Sequence, residues 1–246
     1  MRPPPLPQQV DALARVLERC MGDRHRAPPA VVVFDVDGTL IDTRSRTVQV
    51  LSEYADDIRA EVPGLADALE ALGVDEVQYL LSDTLRERGI VHPDQVRDIT
   101  HYWRDRYFSE EYFQFDAPHT GAAEYVRALH GAGATVVYLS SRDAYAMLIG
   151  TVESLREHSF PMGAAGVELV LNADPGLSDE AFKRAILPKL SRVGEVVGYF
   201  DNEPANCNWA KACFPDADVV LLETVKVPGA PVSDNGVEHL ADFRLE

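Results

Sequence analysis

The sequence predicts an α/β protein in which a doubly wound parallel sheet is interrupted by an inserted all-helical domain. Short runs of Val, Leu, Ile and Phe alternate with segments of helical spacing over residues 119–246, and a similar apolar run stands at Val31–Phe34. Strands that alternate with helices are typical of parallel sheets with right-handed crossovers. Between these two regions, residues 44–118 show helical patterns without a strong strand pattern. We therefore assign residues 30–43 and 119–246 to the core and residues 44–118 to the insert.

Residues 1–29 are predicted to be a proline-rich segment followed by a helix. Four of the first nine residues are proline, so residues 1–9 are expected to be disordered or extended. Helical spacing of apolar residues then predicts a helix over Val10–Met21. Gly22–Pro29 is polar, contains two prolines and is expected to link this helix to the core.

The first strand of the core ends in residues that could bind a cation. Val31–Phe34 is short and mostly β-branched, which suits a strand buried on both faces. It is followed by Asp35 and Asp37, and then by Gly38, which permits a tight turn close to a ligand. Ligands of open α/β sheets bind beyond the carboxyl ends of the strands, where two carboxylates can share Mg²⁺. An Asp-rich turn or a calcium loop is the alternative, although Gly38 comes too early for a calcium loop.

The rest of the core continues the alternation of a Rossmann-like fold. Four further strands are predicted at residues 135–139, 167–171, 196–200 and 219–222. Helices are predicted at residues 120–130, 144–158, 178–187 and 204–214.

Two of these strands also end in polar residues. Ser140 and Ser141 follow the second strand and could donate hydrogen bonds to an oxyanion, and Arg142 could add a bidentate guanidinium. The alternative for Ser140 is a helix N-cap or a turn residue. Asp201 follows the fourth strand and repeats the pattern of an apolar run that ends in an acid. A parallel sheet would bring Asp201 and Asp35 together as a carboxylate pocket for one Mg²⁺.

The segment Val31–Leu40 resembles the first motif of the haloacid dehalogenase-like (HAD) hydrolases, a large family of mostly Mg²⁺-dependent phosphatases. The resemblance extends over residues 30–222 in the order and spacing of four motifs. It implies that Asp35 attacks phosphorus and forms an aspartyl-phosphate. It also implies that Asp37 protonates the leaving alcohol and later activates water.

The second and third motifs of the family imply groups that hold the phosphoryl oxygens. Ser140 matches the hydroxyl of the second motif, with Ser141 as the fallback. Lys183 matches the lysine of the third motif by position, where it would stabilise charge on the nucleophile and the phosphoryl group. Arg184 and Lys189 compete with Lys183 for this role.

The resemblance implies Asp35, Asp37 and Asp201 as the Mg²⁺ site. The fourth motif usually holds two acids, and the second is not plainly present here. The outer metal ligand is therefore left open between three residues that follow Asp201, namely Asn202, Glu203 and Asn206.

The function that the resemblance implies is a Mg²⁺-dependent phosphomonoester hydrolase that acts on a small phosphorylated metabolite. The alternatives are a phosphotransferase or mutase of the same family, and a non-catalytic binding protein that retains the fold. Residues 44–118 would be a helical cap that closes over the site. The aromatic run at residues 102–115 is interpreted either as helix packing or as a wall for the organic part of the substrate.

Composition limits the partners. Forty acidic against 23 basic residues give a formal net charge of −17, which disfavours nucleic acids and anionic membranes. No apolar run approaches the length of a membrane span. The cysteines (Cys20, Cys207 and Cys213) are odd in number and widely spaced, which is typical of reduced thiols in a cytoplasmic protein. The oligomeric state is left open.

Overall fold

The computed structural model describes residues 7–21 and 28–245, and within them a parallel sheet carries helices on both faces. The strands are β1 (Ala30–Phe34), β2 (Ile41–Asp42), β3 (Ala117–Pro118), β4 (Thr135–Asp143), β5 (Val167–Asn172), β6 (Glu195–Asp201), β7 (Asp218–Leu222) and β8 (Val237–Leu240). The helices are α1 (Pro7–Cys20), α2 (Arg44–Ile58), α3 (Pro63–Glu70), α4 (Leu81–Glu87), α5 (Pro93–Tyr107), α6 (Ala122–Gly131), α7 (Leu148–Glu157), α8 (Asp179–Ile186) and α9 (Pro204–Cys213). Short 3₁₀ helices span Val74–Glu76, Glu110–Phe115 and Leu187–Arg192.

The main sheet has the strand order β5-β4-β1-β6-β7-β8, and every neighbouring pair is parallel. This arrangement confirms the predicted doubly wound parallel sheet. Phe34 at the end of β1 lies opposite Tyr138 of β4 and Phe200 of β6. Because the strands run in the same direction, the residues that follow them meet at one edge of the sheet.

The central strand β1 separates two apolar layers. Val32 and Phe34 pack on one side with residues of α1 and α6, whereas Val31 and Val33 pack on the other side. The Phe34 ring stacks on Phe200 with a centroid separation of 4.7 Å. Full burial of β1 explains its continuous apolar run.

The N-terminal helix begins earlier than expected. Pro7 to Gln9 form the first turn of α1, so the expectation of a disordered or extended chain is wrong for these three residues. Proline is tolerated there because the first helical N–H groups have no intrahelical partner. The rest of that prediction, residues 1–6, and most of the predicted linker, residues 22–27, lie outside the described residues.

Residues 44–115, called the helical insert below, contain four α-helices and two 3₁₀ helices. The helical insert has an apolar core of its own, which includes Leu51, Leu69, Leu85 and Ile99. Its two connections to the sheet pair with each other as the antiparallel ribbon β2–β3. Among the described residues, no helix has both the length and the apolar character needed to cross a membrane.

Candidate active site

The residues that follow the strands surround one cavity of about 430 Å³ between the sheet edge and the helical insert. Asp35, Asp37, Ser140, Ser141 and Lys183 line it from the sheet side. Residues of α2, α5 and the segment 77–81 line it from the opposite side. The edge of the sheet and helix α8, which carries Lys183, thus place five of the predicted site residues around one cavity.

Asp35 is held by two donors, one on each carboxylate oxygen. Lys183 Nζ donates to Oδ1 at 2.7 Å, and Thr39 Oγ1 donates to Oδ2 at 2.8 Å. The Asp35 N–H donates to the Phe200 carbonyl at 2.9 Å, which ties the residue to the neighbouring strand β6. Burial raises the pKa of Asp35 well above its usual value, although the Lys183 ammonium opposes this shift. Asp35 is therefore oriented by its neighbours and needs further positive charge to be ionised readily.

Lys183 connects three carboxylates. Besides Asp35, its ammonium donates to Asp201 Oδ2 at 2.9 Å and lies 3.1 Å from Asp179 Oδ1. Burial disfavours the charged amine, but Asp201, Asp35 and Asp179 outweigh it and raise the pKa of Lys183 well above its usual value. Lys183 is thus a fixed cation at the base of the cavity. Arg184, its competitor by sequence position, is half exposed and pairs with Glu180.

Asp37 is paired with Arg142. The Arg142 Nε donates to Asp37 Oδ2 at 2.9 Å, and Nη2 donates to Oδ1 at 2.6 Å. Burial would raise the pKa of Asp37, but the Arg142 charge and hydrogen bonds outweigh it and lower the pKa below the usual value. Arg142 was expected to face a phosphate group, whereas in this structure its guanidinium forms a bidentate pair with Asp37.

Arg142 belongs to a buried chain of charges that reaches the helical insert. Its Nη1 donates to Thr151 at 3.1 Å, and its Nη2 donates to Asp116 at 3.4 Å. Asp116 is also bound by Arg46 of α2 through both of its carboxylate oxygens. The order Asp37–Arg142–Asp116–Arg46 alternates in sign and joins the sheet edge to the first helix of the insert.

The serines that follow the second predicted strand lie within β4, which extends four residues beyond the predicted end. Both line the cavity, and Ser140 Oγ accepts a hydrogen bond from the Arg142 N–H at 3.2 Å. The Ser140 hydroxyl proton is free to be donated elsewhere, because this hydrogen bond uses only an oxygen lone pair. The two serines stay predicted donors to a phosphoryl group.

Asp201 is completely buried and does not line the cavity. Its Oδ2 accepts from Lys183 and from Tyr199 Oη at 2.6 Å, and its Oδ1 accepts from the Glu203 N–H at 2.8 Å. Asn202 and Glu203 do line the cavity, whereas Asn206 donates to Asp179 at 2.7 Å. Burial raises the pKa of Glu203 to about 7. Of the three candidates for the outer metal ligand, the structure turns Asn202 and Glu203 toward the cavity.

The side-chain oxygens of the site suit a Mg²⁺ ion that keeps several of its bound waters. The groups near Lys183 are almost all oxygen donors, which this ion prefers. Within the ranges described, however, no group of three or more His, Cys, Asp and Glu side chains is arranged to hold a metal ion. Mg²⁺ is commonly bound through one or two carboxylates while it keeps several waters, and this arrangement fits the residues present.

Sequence reasoning missed three residues that contact the charged groups of the site. Thr39 donates to Asp35. Asp179 pairs with Lys183, and Tyr199 donates to Asp201. Asp179 lies one helical turn before Lys183 on α8, a spacing that puts both side chains on one face of the helix. Tyr199 lies two residues before Asp201 on β6, so both side chains point to the same face of the sheet. These spacings were available as signals in the sequence.

Comparison with known proteins identifies one family whose model matches this chain, and solved structures with a similar fold. The model of the haloacid dehalogenase-like hydrolases matches residues 29–196. No curated protein matches. A candidate phosphatase from Clostridium difficile aligns with a TM-score of 0.50 and 16% identity, covering 78% of this chain and 84% of that one. Mycobacterium tuberculosis Protein Tyrosine Kinase A aligns with a TM-score of 0.51 and 20% identity, covering 88% and 94%. The family match covers more than half of the chain, and the two solved structures share the fold.

Proposed function

This chain belongs to the haloacid dehalogenase-like hydrolases, and we propose that it hydrolyses phosphate monoesters of small molecules through an aspartyl-phosphate on Asp35. The observation that carries the proposal is the pair of donors on the Asp35 carboxylate, Lys183 and Thr39, at the base of the cavity. Phosphoryl transfer depends on positioning and on charge stabilisation more than on covalent chemistry from the protein. The two hydrogen bonds to Asp35 support its positioning, and the Lys183 ammonium supports the stabilisation of charge.

In the proposed reaction, a carboxylate oxygen of Asp35 attacks phosphorus and the bond from phosphorus to the substrate alcohol breaks. Asp37 gives its proton to the departing alcohol oxygen. Asp37 then takes a proton from a water molecule that attacks phosphorus, which releases inorganic phosphate and restores Asp35. Ser140 and Ser141 donate hydrogen bonds to the phosphoryl oxygens, and Lys183 supplies positive charge beside them.

We propose that the cofactor is Mg²⁺, held by Asp35 and Asp37, which line the cavity, with Asp201 and the outer carboxylate Glu203 contributing through the waters that the ion keeps. HAD hydrolases generally use this ion. Glu203 is preferred to Asn202 because its carboxylate offers two oxygens and a negative charge. Its Oε1 accepts from the Val227 N–H at 3.0 Å, whereas the Asn202 amide Nδ2 donates to the Val225 carbonyl at 2.7 Å. When bound, the cation supplies positive charge that favours the ionised form of Asp35 and offsets charge on the phosphoryl oxygens.

The test is release of inorganic phosphate from a panel of phosphate monoesters, with and without Mg²⁺, by the wild-type protein and the Asp35→Asn variant. We expect metal-dependent release that the isosteric substitution abolishes. Asp67→Asn, an exposed carboxylate on α3, is the matched control and should behave as wild type. Release that survives Asp35→Asn would overturn the proposed nucleophile.

The products also separate hydrolysis from phosphotransfer. A phosphotransferase would form a new phosphoester when a second alcohol is present, whereas a hydrolase gives free phosphate in proportion to the substrate consumed. Binding of substrate without either product would favour a non-catalytic protein. The cytoplasmic location predicted from the cysteine pattern and the role of residues 44–118 as a closing cap stay predictions.

A further inference from the structure

We propose that the alcohol part of the substrate is apolar, with an aromatic group preferred, and carries no second negative charge. This inference rests on the proposed function and specifies the substrate of the same cavity. It follows from the wall that the helical insert presents to the cavity, from the charges around it, and from the hydrogen bonds that its polar groups already make.

The first observation is an aromatic cluster at the end of α5. The rings of Trp103 and Tyr107 stack with centroids 4.4 Å apart, and Phe108 packs edge-on against Tyr107 at 5.1 Å. The rings of these three residues line the cavity, and Phe108 is 48% exposed. Large apolar surface left open beside a catalytic centre is typical of a binding wall, since core packing would have covered it.

A second apolar surface comes from the segment before α4. Tyr79 and Leu80 line the same cavity and are 49% and 44% exposed. Burial, and after it the charges of Glu203 and Asp179, raise the pKa of Tyr79, and both acids line the same cavity. The aromatic cluster and this segment together give the cavity apolar contacts from two parts of the helical insert.

The third observation is the charge of the cavity. Its lining contains five carboxylates: Asp35, Asp37, Asp42, Asp179 and Glu203. The fixed cations among the described lining residues are Lys183 and Arg44. Lys183 is already surrounded by acids. Arg44 donates to both oxygens of Asp42, at 2.9 and 2.7 Å, and Asp75 lies 3.5 Å from its Nη1.

A second anionic group on the substrate would therefore meet an acidic surface without an unpaired cation to receive it. Two further arginines of the helical insert are also engaged: Arg46 binds Asp116 and Arg106 lies over the Tyr102 ring. Placing a carboxylate or a second phosphate in such surroundings costs free energy, because like charges repel and burial removes hydration.

Two donors of this wall, the indole N–H of Trp103 and the hydroxyl of Tyr107, already have partners within the protein. Thr47 Oγ1 accepts from Trp103 Nε1 at 3.1 Å, and the Tyr107 hydroxyl donates to Thr43 Oγ1 at 2.9 Å. A sugar or polyol would bring hydroxyl groups that must exchange partners with these bonds, whereas an apolar group would not. Leaving a buried hydroxyl without a partner weakens binding.

The experiment compares kcat/KM for three alkyl phosphates in the presence of Mg²⁺: 2-phenylethyl phosphate, glycerol 3-phosphate and 3-phosphoglycerate. All three are esters of primary aliphatic alcohols, so their leaving groups are similar in reactivity. An aryl phosphate is not used, because its more reactive leaving group would raise the rate for a reason unrelated to binding. We expect 2-phenylethyl phosphate to exceed each of the others by about tenfold or more, since apolar pockets discriminate on this scale. Equal values, or a preference for 3-phosphoglycerate, would overturn the inference.

Variants locate the preference on the wall. Phe108→Ala should reduce the ratio of kcat/KM for 2-phenylethyl phosphate to that for glycerol 3-phosphate several-fold. Tyr145→Ala is the matched control, because Tyr145 is 84% exposed and lies outside the cavity. A preference that survives Phe108→Ala and also Tyr79→Ala would contradict this assignment of the wall.

The three esters test the proposed phosphatase activity and the proposed substrate class separately. If all three esters release phosphate at similar rates and Asp35→Asn abolishes release, the proposed function holds and the substrate class is wrong. If none of them, and no other phosphate ester, is hydrolysed, the proposed function itself fails.

Discussion

The Arg142 guanidinium binds both carboxylate oxygens of Asp37, through Nε to Oδ2 at 2.9 Å and Nη2 to Oδ1 at 2.6 Å. A bidentate pair of this kind fixes the orientation of the carboxylate and favours its ionised form. In the proposed mechanism, the ionised form suits the step in which Asp37 takes a proton from water. The step in which it gives a proton to the alcohol needs the protonated form, so Arg142 is expected to set the pH range of that step.

Replacement of Arg142 should move the pH dependence of turnover. Arg142→Met removes the charge that lowers the pKa of Asp37, so the pKa rises and the alkaline limb of the pH–kcat profile moves to higher pH. The loss of positioning should also reduce kcat by about 10- to 100-fold. Arg142→Lys keeps a charge without the fork and should give a smaller pH shift. An unchanged profile in Arg142→Met would show that Arg142 does not govern the titration of Asp37.

Gly38 should be intolerant of a side chain for two separable reasons. Its φ of +81° disfavours any L-residue, and an added Cβ would lie 2.9 Å from Asn202 Cγ. Gly38→Ala should therefore lower both stability and phosphate release. Gly89→Ala is the control, because Gly89 has a φ of +76° with nothing within 4 Å of the added carbon. Equal losses of stability, measured by urea unfolding, would assign the whole effect to backbone conformation.

The buried pair of Arg46 and Asp116 should matter more than pairs on the surface. Both side chains are almost fully buried, and removal of Arg46 leaves the Asp116 carboxylate with the longer contact to Arg142 at 3.4 Å. We expect Arg46→Met to lower the free energy of unfolding by about 3–5 kcal/mol. Arg59→Met removes a solvent-exposed network with Asp67 and Glu70 and should change stability little. Similar effects of the two substitutions in chemical denaturation would contradict this ranking.

His119 should make stability depend on pH near neutrality. Burial lowers the pKa of His119 below its usual value of 6.5, so the unfolded chain binds the proton more readily. The contribution of neutral His119 is full above pH 6.5 and is lost as the pH falls below it, at up to about 1.4 kcal/mol per pH unit. Between pH 7.5 and 5.5, His119→Gln should lose less unfolding free energy than wild type. A parallel loss in both proteins would exclude His119 as the cause.

The buried strands could be predicted because burial on both faces leaves continuous apolar runs. Strand β8 was missed, since Glu238 and His239 stand between its two apolar residues at the edge of the sheet. The ribbon β2–β3 was missed because two residues per strand are too few to produce a pattern. Helix α1 began earlier than expected because the prolines were taken as breakers at a position where one of them is tolerated.

The candidate site was predictable where a residue follows a strand, and less so where a partner comes from elsewhere in the chain. Asp35 and Asp201 could be expected at one edge from parallel pairing alone. The partner of Arg142 could not, because the distance of 105 residues between Arg142 and Asp37 carries no spacing signal. Pairing of distant charges depends on the packed fold. From the sequence alone, the Arg142 guanidinium was therefore predicted to bind phosphate and not Asp37.

The ribbon β2–β3 has a mechanical consequence. The outgoing and returning chains are hydrogen-bonded to each other, with Ile41 opposite Pro118 and Asp42 opposite Ala117, so bending one of them would strain its pairing with the other. A rotation of the helical insert about this ribbon would have a single axis and little freedom to twist or slide. In such a rotation, the parts of the helical insert farthest from the ribbon would be displaced the most, and the residues next to the ribbon the least.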